Sequence, residues 1–425
     1  MKNLSLLFIF LSVITLNVFG QENHKSIHQL ELEYYNSLNI DAESYYSINQ
    51  PAEIDILKSS KSCEHTKIVF GWHPYWANGM ETNYQWDLLT DMSFFSYEVN
   101  PSTGNANSTH GWATSNAVTQ ALANGVRVNL CVTLFSEHAT FFASPTAQQT
   151  LITNLINLVQ SRGAHGVNID FEGVPGAQKT NFTNFLIDLC NQMHSAIPNS
   201  KVSLCLYAVD WSNVFDIAAI NNYIDYYTIM GYDYYYGGSS YAGPTSPLYT
   251  FHTFNYNLAK SVNYYMSKGA SKEKLILGLP YYGKEWSTES QNVPSATTAT
   301  GSSRTYKTIR ANADGYYTNR QYENVSQCPY YVFYNSGWKQ CFVDDEESLG
   351  AKYDLVNMMG IAGIGIWALS YDDGYTELWD LIREKFTTCG SVPCNGIFYD
   401  LGGPNNTYLN SSDYVFTIAP TGATK

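Results

Sequence analysis

The chain has 425 residues, enough for one large domain with small additions, and a formal net charge of −14. So acidic a balance, with few Lys or Arg, argues against nucleic acid and anionic membrane surfaces as partners. Tyr is abundant at 35 residues and aromatics reach 15%, a composition that suits sugar stacking and ordinary core filling alike.

Residues 1–20 carry Lys2 and then an apolar run from Leu6 to Val18, followed by Phe19-Gly20 and Gln21. This reads as a secretory signal, too short for a membrane span, and predicts a secreted or extracellular protein, or a periplasmic or cell-surface one. With no Cys at the cleavage point a lipoprotein is not expected, and no transmembrane segment is expected elsewhere. Residues 21–66 read as an N-terminal extension with a short helix over Ile27–Leu38 and a linker ending near Cys63, with no chemistry assigned to it.

From Lys67 short apolar runs alternate with helical patterns. Eight strands are expected: Ile68–Trp72, Asp91–Tyr97, Arg127–Leu134, Gly166–Glu172, Val202–Val209, Tyr226–Met230, Leu275–Leu279 and Gly363–Ala368. The clearest helix runs from Ala147 to Arg162, with Leu151, Leu155, Ile156 and Val159 on one face; another runs from Phe182 to Ile197 and is closed by Pro198. Eight such units over residues 67–388 predict an α/β fold, a (β/α)₈ barrel. The rival, an open doubly wound sheet, lacks a Gly-x-Gly-x-x-Gly or phosphate loop. A small α+β insertion is expected between the seventh and eighth strands, at about residues 287–344, with hairpin-like runs at Tyr330–Tyr334 and Cys341–Val343.

Residues 389–425 are rich in Gly, Pro, Asn and Ser and read as the truncated start of a C-terminal β-rich domain, with strands at Gly396–Asp400 and Tyr414–Ile418. Of the eight cysteines, Cys328 with Cys341 and Cys389 with Cys394 are candidate bridges. Cys131 and Cys205 lie in apolar runs and read as buried free thiols, and no Cys-x-x-Cys pair suggests zinc.

The chemistry centres on His165-Gly166-Val167-Asn168-Ile169-Asp170-Phe171-Glu172. Apolar and polar residues alternate, so Asn168, Asp170 and Glu172 share one strand face, with the two carboxylates roughly 6–7 Å apart along it. Gly173-Val174-Pro175 stop the strand, which leaves Glu172 at its C-terminal end, where α/β barrels place their chemistry. A divalent cation held by these oxygens is an alternative use of such a face.

This stretch resembles the Asp-Gly-x-Asp-x-Asp-x-Glu motif of family 18 glycoside hydrolases, the chitinase family. Gly166, Asp170 and Glu172 match, His165 and Asn168 replace the first two Asp, and the Asn-Ile-Asp-Phe-Glu form resembles the branch of spore-cortex-lytic N-acetylglucosaminidases. The resemblance runs from about Lys67 to Phe386, and the opening of the C-terminal stub resembles a CUB-like domain. The resemblance implies a substrate-assisted, retaining mechanism in which the substrate's 2-acetamido oxygen attacks its own anomeric carbon, an exception to the two-carboxylate schemes. Glu172 would be general acid/base and Asp170 would orient the acetamido group and stabilise the oxazolinium-like ion. Met230-Gly231-Tyr232-Asp233 matches the family's Met-x-Tyr-Asp, so Tyr232 would hydrogen-bond the acetamido carbonyl and Asp233 the sugar hydroxyls. Trp367 would floor the subsite, and Tyr282, Trp286, Tyr75, Met230 and Asn168 complete the candidate substrate contacts. Asn168 can hydrogen-bond Asp170 but cannot share its proton. The third-strand Ser-x-Gly-Gly of many chitinases is replaced by Cys131-Val132-Thr133-Leu134.

The expected partner is therefore an N-acetylglucosamine-containing polysaccharide or glycan (chitin, chito-oligosaccharide or peptidoglycan), cleaved at a β-1,4 bond by a monomer with no cofactor and no metal. The alternatives are a non-catalytic carbohydrate-binding lectin on the same barrel and an endo-β-N-acetylglucosaminidase acting on N-glycans.

Overall fold

The computed structural model describes residues 25–38 and 64–388, together with the backbone of two short strands, Thr407–Leu409 and Val415–Thr417. After an N-terminal helix α1 (Ile27–Ser37), eight parallel strands follow: β1 (Ile68–Pro74), β2 (Asp91–Val99), β3 (Arg127–Leu134), β4 (Gly166–Phe171), β5 (Lys201–Tyr207), β6 (Tyr226–Met230), β7 (Leu275–Pro280) and β8 (Gly363–Trp367). Each pairs with its neighbours in sequence order, and β1 pairs with both β8 and β2, which closes the barrel. A ninth strand, Ala106–Ser108, runs antiparallel to the end of β2. The eight strands anticipated from the alternation of apolar runs are these eight, with ends displaced by a few residues at most.

Strand β4 shows why the sequence folds this way. Its alternation sends Phe171 outward, where it stacks between Phe182 and Phe185 of helix α3 (Lys179–Ala196) at 5.8 Å from each. Asn168 and Asp170 point to the barrel interior, where both are fully buried. Gly166 begins the strand because a Cβ there would lie 1.8 Å from the Lys201 carbonyl oxygen of β5. Helix α2 (Pro145–Arg162) precedes β4; Ser144 caps it by accepting from the Ala147 amide, Pro145 fills its first turn, and Gly163 ends it in the left-handed conformation. Proline's fit at the first helical position is the reason the helix begins two residues before the periodic run does.

Between β7 and β8 the chain builds a five-stranded antiparallel sheet in the order Ser302–Thr305, Tyr282–Thr288, Trp338–Phe342, Cys328–Tyr334, Arg320–Glu323. This sheet begins at Tyr282. Helix α4 (Glu346–Met359) then returns the chain to β8, and its buried Lys352 pairs with buried Asp344. The anticipated Cys328–Cys341 bridge is absent: both are free, buried thiols. The register explains it, since Cys341 sits opposite Tyr331, three residues beyond Cys328. That offset is about 10 Å along a strand, beyond disulfide reach. Cys131 and Cys205 are buried free thiols, as is Cys190. At the C-terminus Thr407–Leu409 pairs antiparallel with Val415–Thr417. The expected strand Gly396–Asp400, Cys389, Cys394 and the apolar segment of residues 1–20 lie outside the described residues. Among the described residues no helix is long and apolar enough to cross a membrane.

Candidate active site

The candidate residues converge where the barrel strands end. Glu172 follows β4 directly, with its amide bonded to the Leu134 carbonyl at the end of β3. Tyr232 and Asp233 follow β6, Tyr282 follows β7 and Trp367 is the last residue of β8. Beneath them Asn168 is held by the core: its Oδ1 accepts from Trp72 Nε1 at 2.8 Å and its Nδ2 donates to Ser203 Oγ at 2.9 Å. Asp233, in the left-handed conformation at φ 57°, accepts from the Tyr282 hydroxyl at 2.7 Å. Tyr232 and Tyr282 meet edge to face at 6.1 Å.

Helix α1 lies across this constellation. His28 is fully buried in it, stacked on Trp367 with ring centroids 3.6 Å apart. Its Nδ1 is 2.7 Å from Asp170 Oδ2 and its Nε2 is 2.8 Å from the Tyr232 hydroxyl. A carboxylate only accepts, so a ring proton sits on Nδ1, and in the neutral ring Nε2 then accepts from the phenol. Ser26, which caps the helix by accepting from the Gln29 amide, donates its own hydroxyl proton to Glu172 Oε1 at 2.8 Å. The Ile27 amide donates to Asp233 Oδ2 at 3.2 Å. One helical turn on, Trp367 Nε1 donates to Glu31 Oε2 at 3.1 Å. At the far end Tyr35 stacks on Trp76 at 4.4 Å, and Tyr75 donates to Asn36 Oδ1 at 2.9 Å.

The site is electrostatically tuned. Burial raises the Glu172 carboxyl well above the ordinary range, the Asp170 and Asp233 charges push it further, and the Ser26 hydrogen bond opposes them. Burial likewise raises the Tyr232 and Tyr282 phenols, which stay protonated as donors. Burial lifts Glu31 to about 7, against the bonds from Tyr371 and Trp367 and the charge of Lys284. His28, Asp170 and Glu172 offer atoms that lie within 4.8 Å of one another and would serve as metal ligands. The 2.7 Å between His28 Nδ1 and Asp170 Oδ2 is an ordinary hydrogen-bond distance.

The structure thus gathers Glu172, Asp170, Tyr232, Asp233, Tyr282 and Trp367 around one point. Asn168 lies below them, and its bonds run to Trp72 and Ser203 rather than to Asp170, because its amide meets two well-placed partners in the core. Met230 is the buried last residue of β6. Trp286 belongs to the antiparallel sheet, where it is buried, meets Phe342 edge to face and donates to the Gly237 carbonyl. Tyr75 stacks on His110 at the rim. Sequence reasoning missed Ser26, His28, Glu31 and Tyr35, having assigned residues 21–66 no chemistry, and with them Trp76 on the barrel side. The available signal was the Ser26-x-x-Gln29 helix start followed by His28, Glu31, Leu32 and Tyr35 on one face, a stripe too polar for a purely structural helix.

Comparison with known proteins agrees with this architecture. The chain is 27% identical over 253 residues, 57% of its length and 56% of the relative's, to the sporulation-specific glycosylase candidate YdhD of Bacillus subtilis. It spans about half the length of the first curated relatives it matches. Its fold superposes on a family GH18 chitinase from Cycas revoluta crystallised with allosamidin with a TM-score of 0.67 at 16% identity, covering 75% of this chain and 99% of that one. On the spore cortex-lytic enzyme SleL of Bacillus cereus the TM-score is 0.64 at 18% identity, with 81% of each chain covered. The model of glycosyl hydrolases family 18 matches residues 68–372, from the start of β1 to beyond β8, and the chain belongs to that family.

Proposed function

We propose that this chain is a glycosidase that hydrolyses β-1,4 bonds next to N-acetylglucosamine, with retention of anomeric configuration and with help from the substrate's own acetamido group. One observation carries the reading: Glu172, raised by burial, Asp170, Tyr232 and the Trp367 indole all surround one buried position, that of the His28 ring. Held protonated, Glu172 is the acid that donates to the leaving oxygen and later the base that takes a proton from water. Asp170 is on the same strand as this acid, so it cannot attack the opposite face of the sugar. It is suited instead to accept from the acetamido N–H and to stabilise the cation that develops. Tyr232, a donor, turns the acetamido carbonyl toward the anomeric carbon, and Asp233 takes a sugar hydroxyl.

Similarity to chitinases and cortical fragment-lytic enzymes supports a polymer of N-acetylglucosamine, chitin or peptidoglycan glycan, as substrate. The apolar stretch of residues 1–20 supports export, and a site built from one chain supports action as a monomer. The test is NMR of the first-formed product from a chito-oligosaccharide, alongside the rate on its de-N-acetylated counterpart. Retention and strong dependence on the acetamido group are expected. Initial inversion, or equal rates on both substrates, removes the mechanism.

A further inference from the structure

We infer that helix α1 is a built-in inhibitor: residues 25–38 occupy the reactive subsite as an imitation of the N-acetylated sugar, and the enzyme works only when they leave. The argument begins with hydrogen-bond polarity. An acetamido group offers one N–H donor and one carbonyl acceptor. A neutral imidazole offers one N–H donor and one bare nitrogen acceptor. His28 presents its donor to Asp170 and its acceptor to Tyr232, while its flat ring lies on Trp367. These are the partners that the proposed mechanism assigns to the acetamido N–H, the acetamido carbonyl and the sugar's apolar face.

The imitation extends past one residue. The Ser26 hydroxyl reaches Glu172 where the leaving oxygen must stand to receive a proton, and the Ile27 amide reaches Asp233 as a sugar hydroxyl would. Seven residues after His28, or about 11 Å along the helix, the Tyr35 ring lies nearly parallel to Trp76, tilted by only 8°. Positions 28, 31, 32 and 35 form the single face that a helix lays into a groove. Ile27 and Leu32 seal it into the hydrophobic core. No substrate can reach Glu172 or Asp170 while His28 is in place, because both carboxylates already touch it or its neighbour Ser26. The barrel does not need the helix for closure, since β1 pairs directly with β8 and β2. The plug belongs to the same chain as the barrel, so it competes as an intramolecular ligand.

The inference rests on the proposed glycosidase reading for its activity readout only, and a binding readout separates the two. A specific protease sequence is placed within residues 39–63 of the full chain, the folded protein is cut, and the N-terminal piece is removed by gel filtration. Hydrolysis of a chito-oligosaccharide is expected to rise about tenfold or more, because several buried hydrogen bonds to charged groups no longer hold the closed state. His28→Ala in the uncut chain is expected to raise the rate in the same direction. A synthetic peptide of residues 22–38 should rebind the cut barrel, quench its tryptophan fluorescence and compete with chito-oligosaccharide, and the same peptide with His28→Ala should bind at least about tenfold more weakly. Equal, measurable rates before and after cutting, a lower rate in His28→Ala, or a peptide that fails to bind would each overturn the inference. If the cut protein hydrolyses nothing yet binds the peptide in a His28-dependent way, occupancy of the site stands and the glycosidase reading falls.

Discussion

Glu172 can begin the reaction only while it holds its proton. Burial and the neighbouring carboxylates raise its pKa, so the protonated form persists at pH values where an ordinary glutamate is ionised. The sign for activity follows: proton donation is available below the raised pKa and is lost as pH rises through it. The alkaline limb of the kcat/KM profile is therefore expected well above the free carboxyl value of about 4.3. Glu172→Gln should lower kcat by at least about 10²-fold while chito-oligosaccharide binding survives, since general acid catalysis contributes ~10²–10⁴-fold. A variant that keeps a tenth of the rate would point to another acid. Asn168 behaves differently from its neighbour on the strand. With its amide spent on Trp72 and Ser203, Asn168→Asp would bury a charge among partners arranged for an amide. The expected outcome is a loss of about 1–3 kcal/mol, read as a lower melting temperature. An unchanged melting temperature with a shifted acidic limb would show instead that residue 168 answers to Asp170.

Helix α1 owes its existence to local signals and its position to none. The Ser26 cap and the run from Ile27 announce a helix, but nothing local says that its polar face meets β4, β6 and β8. Its partners at the ends of those three strands lie 142 to 336 residues away in sequence. The half-buried Glu31 makes this docking sensitive to pH. Trp367, Tyr371 and Lys284 face it from the barrel, and His28 and Tyr35 from its own helix. Its pKa is about 7 when docked, against an ordinary carboxyl value when the helix is free. The docked state therefore binds the proton more tightly. Docking is at full strength below the free pKa of about 4.3 and weakens as pH rises toward 7, by roughly tenfold once partial exposure is allowed for. Measured as affinity of the residue 22–38 peptide for the cut barrel at pH 5 and pH 8, this dependence should shrink in the Glu31→Gln peptide. Equal dependence in both peptides would locate the proton elsewhere.

At the scale of the molecule, the barrel was legible because β4 and its seven companions each combine apolar runs with a stop signal, and the helices between them keep a regular period. The motif residues Glu172, Asp170 and Tyr232 were legible because strand ends fix their position. Trp286 is buried in the antiparallel sheet with its Nε1 on the Gly237 carbonyl, an orientation set by tertiary packing rather than by local spacing. The Cys328–Cys341 pairing failed for a related reason, since hairpin register is not written in cysteine spacing. The same long separations carry a consequence for the order of assembly. The surface that receives His28 exists only after β4, β6 and β8 have come together, because Asp170, Tyr232 and Trp367 each come from a different strand. Helix α1 leaves the ribosome before any of them and must wait for all of them. Among the described elements the one synthesised earliest is thus the last to settle, and on unfolding the first able to depart, so the barrel passes through an open-mouthed stage each time it is made.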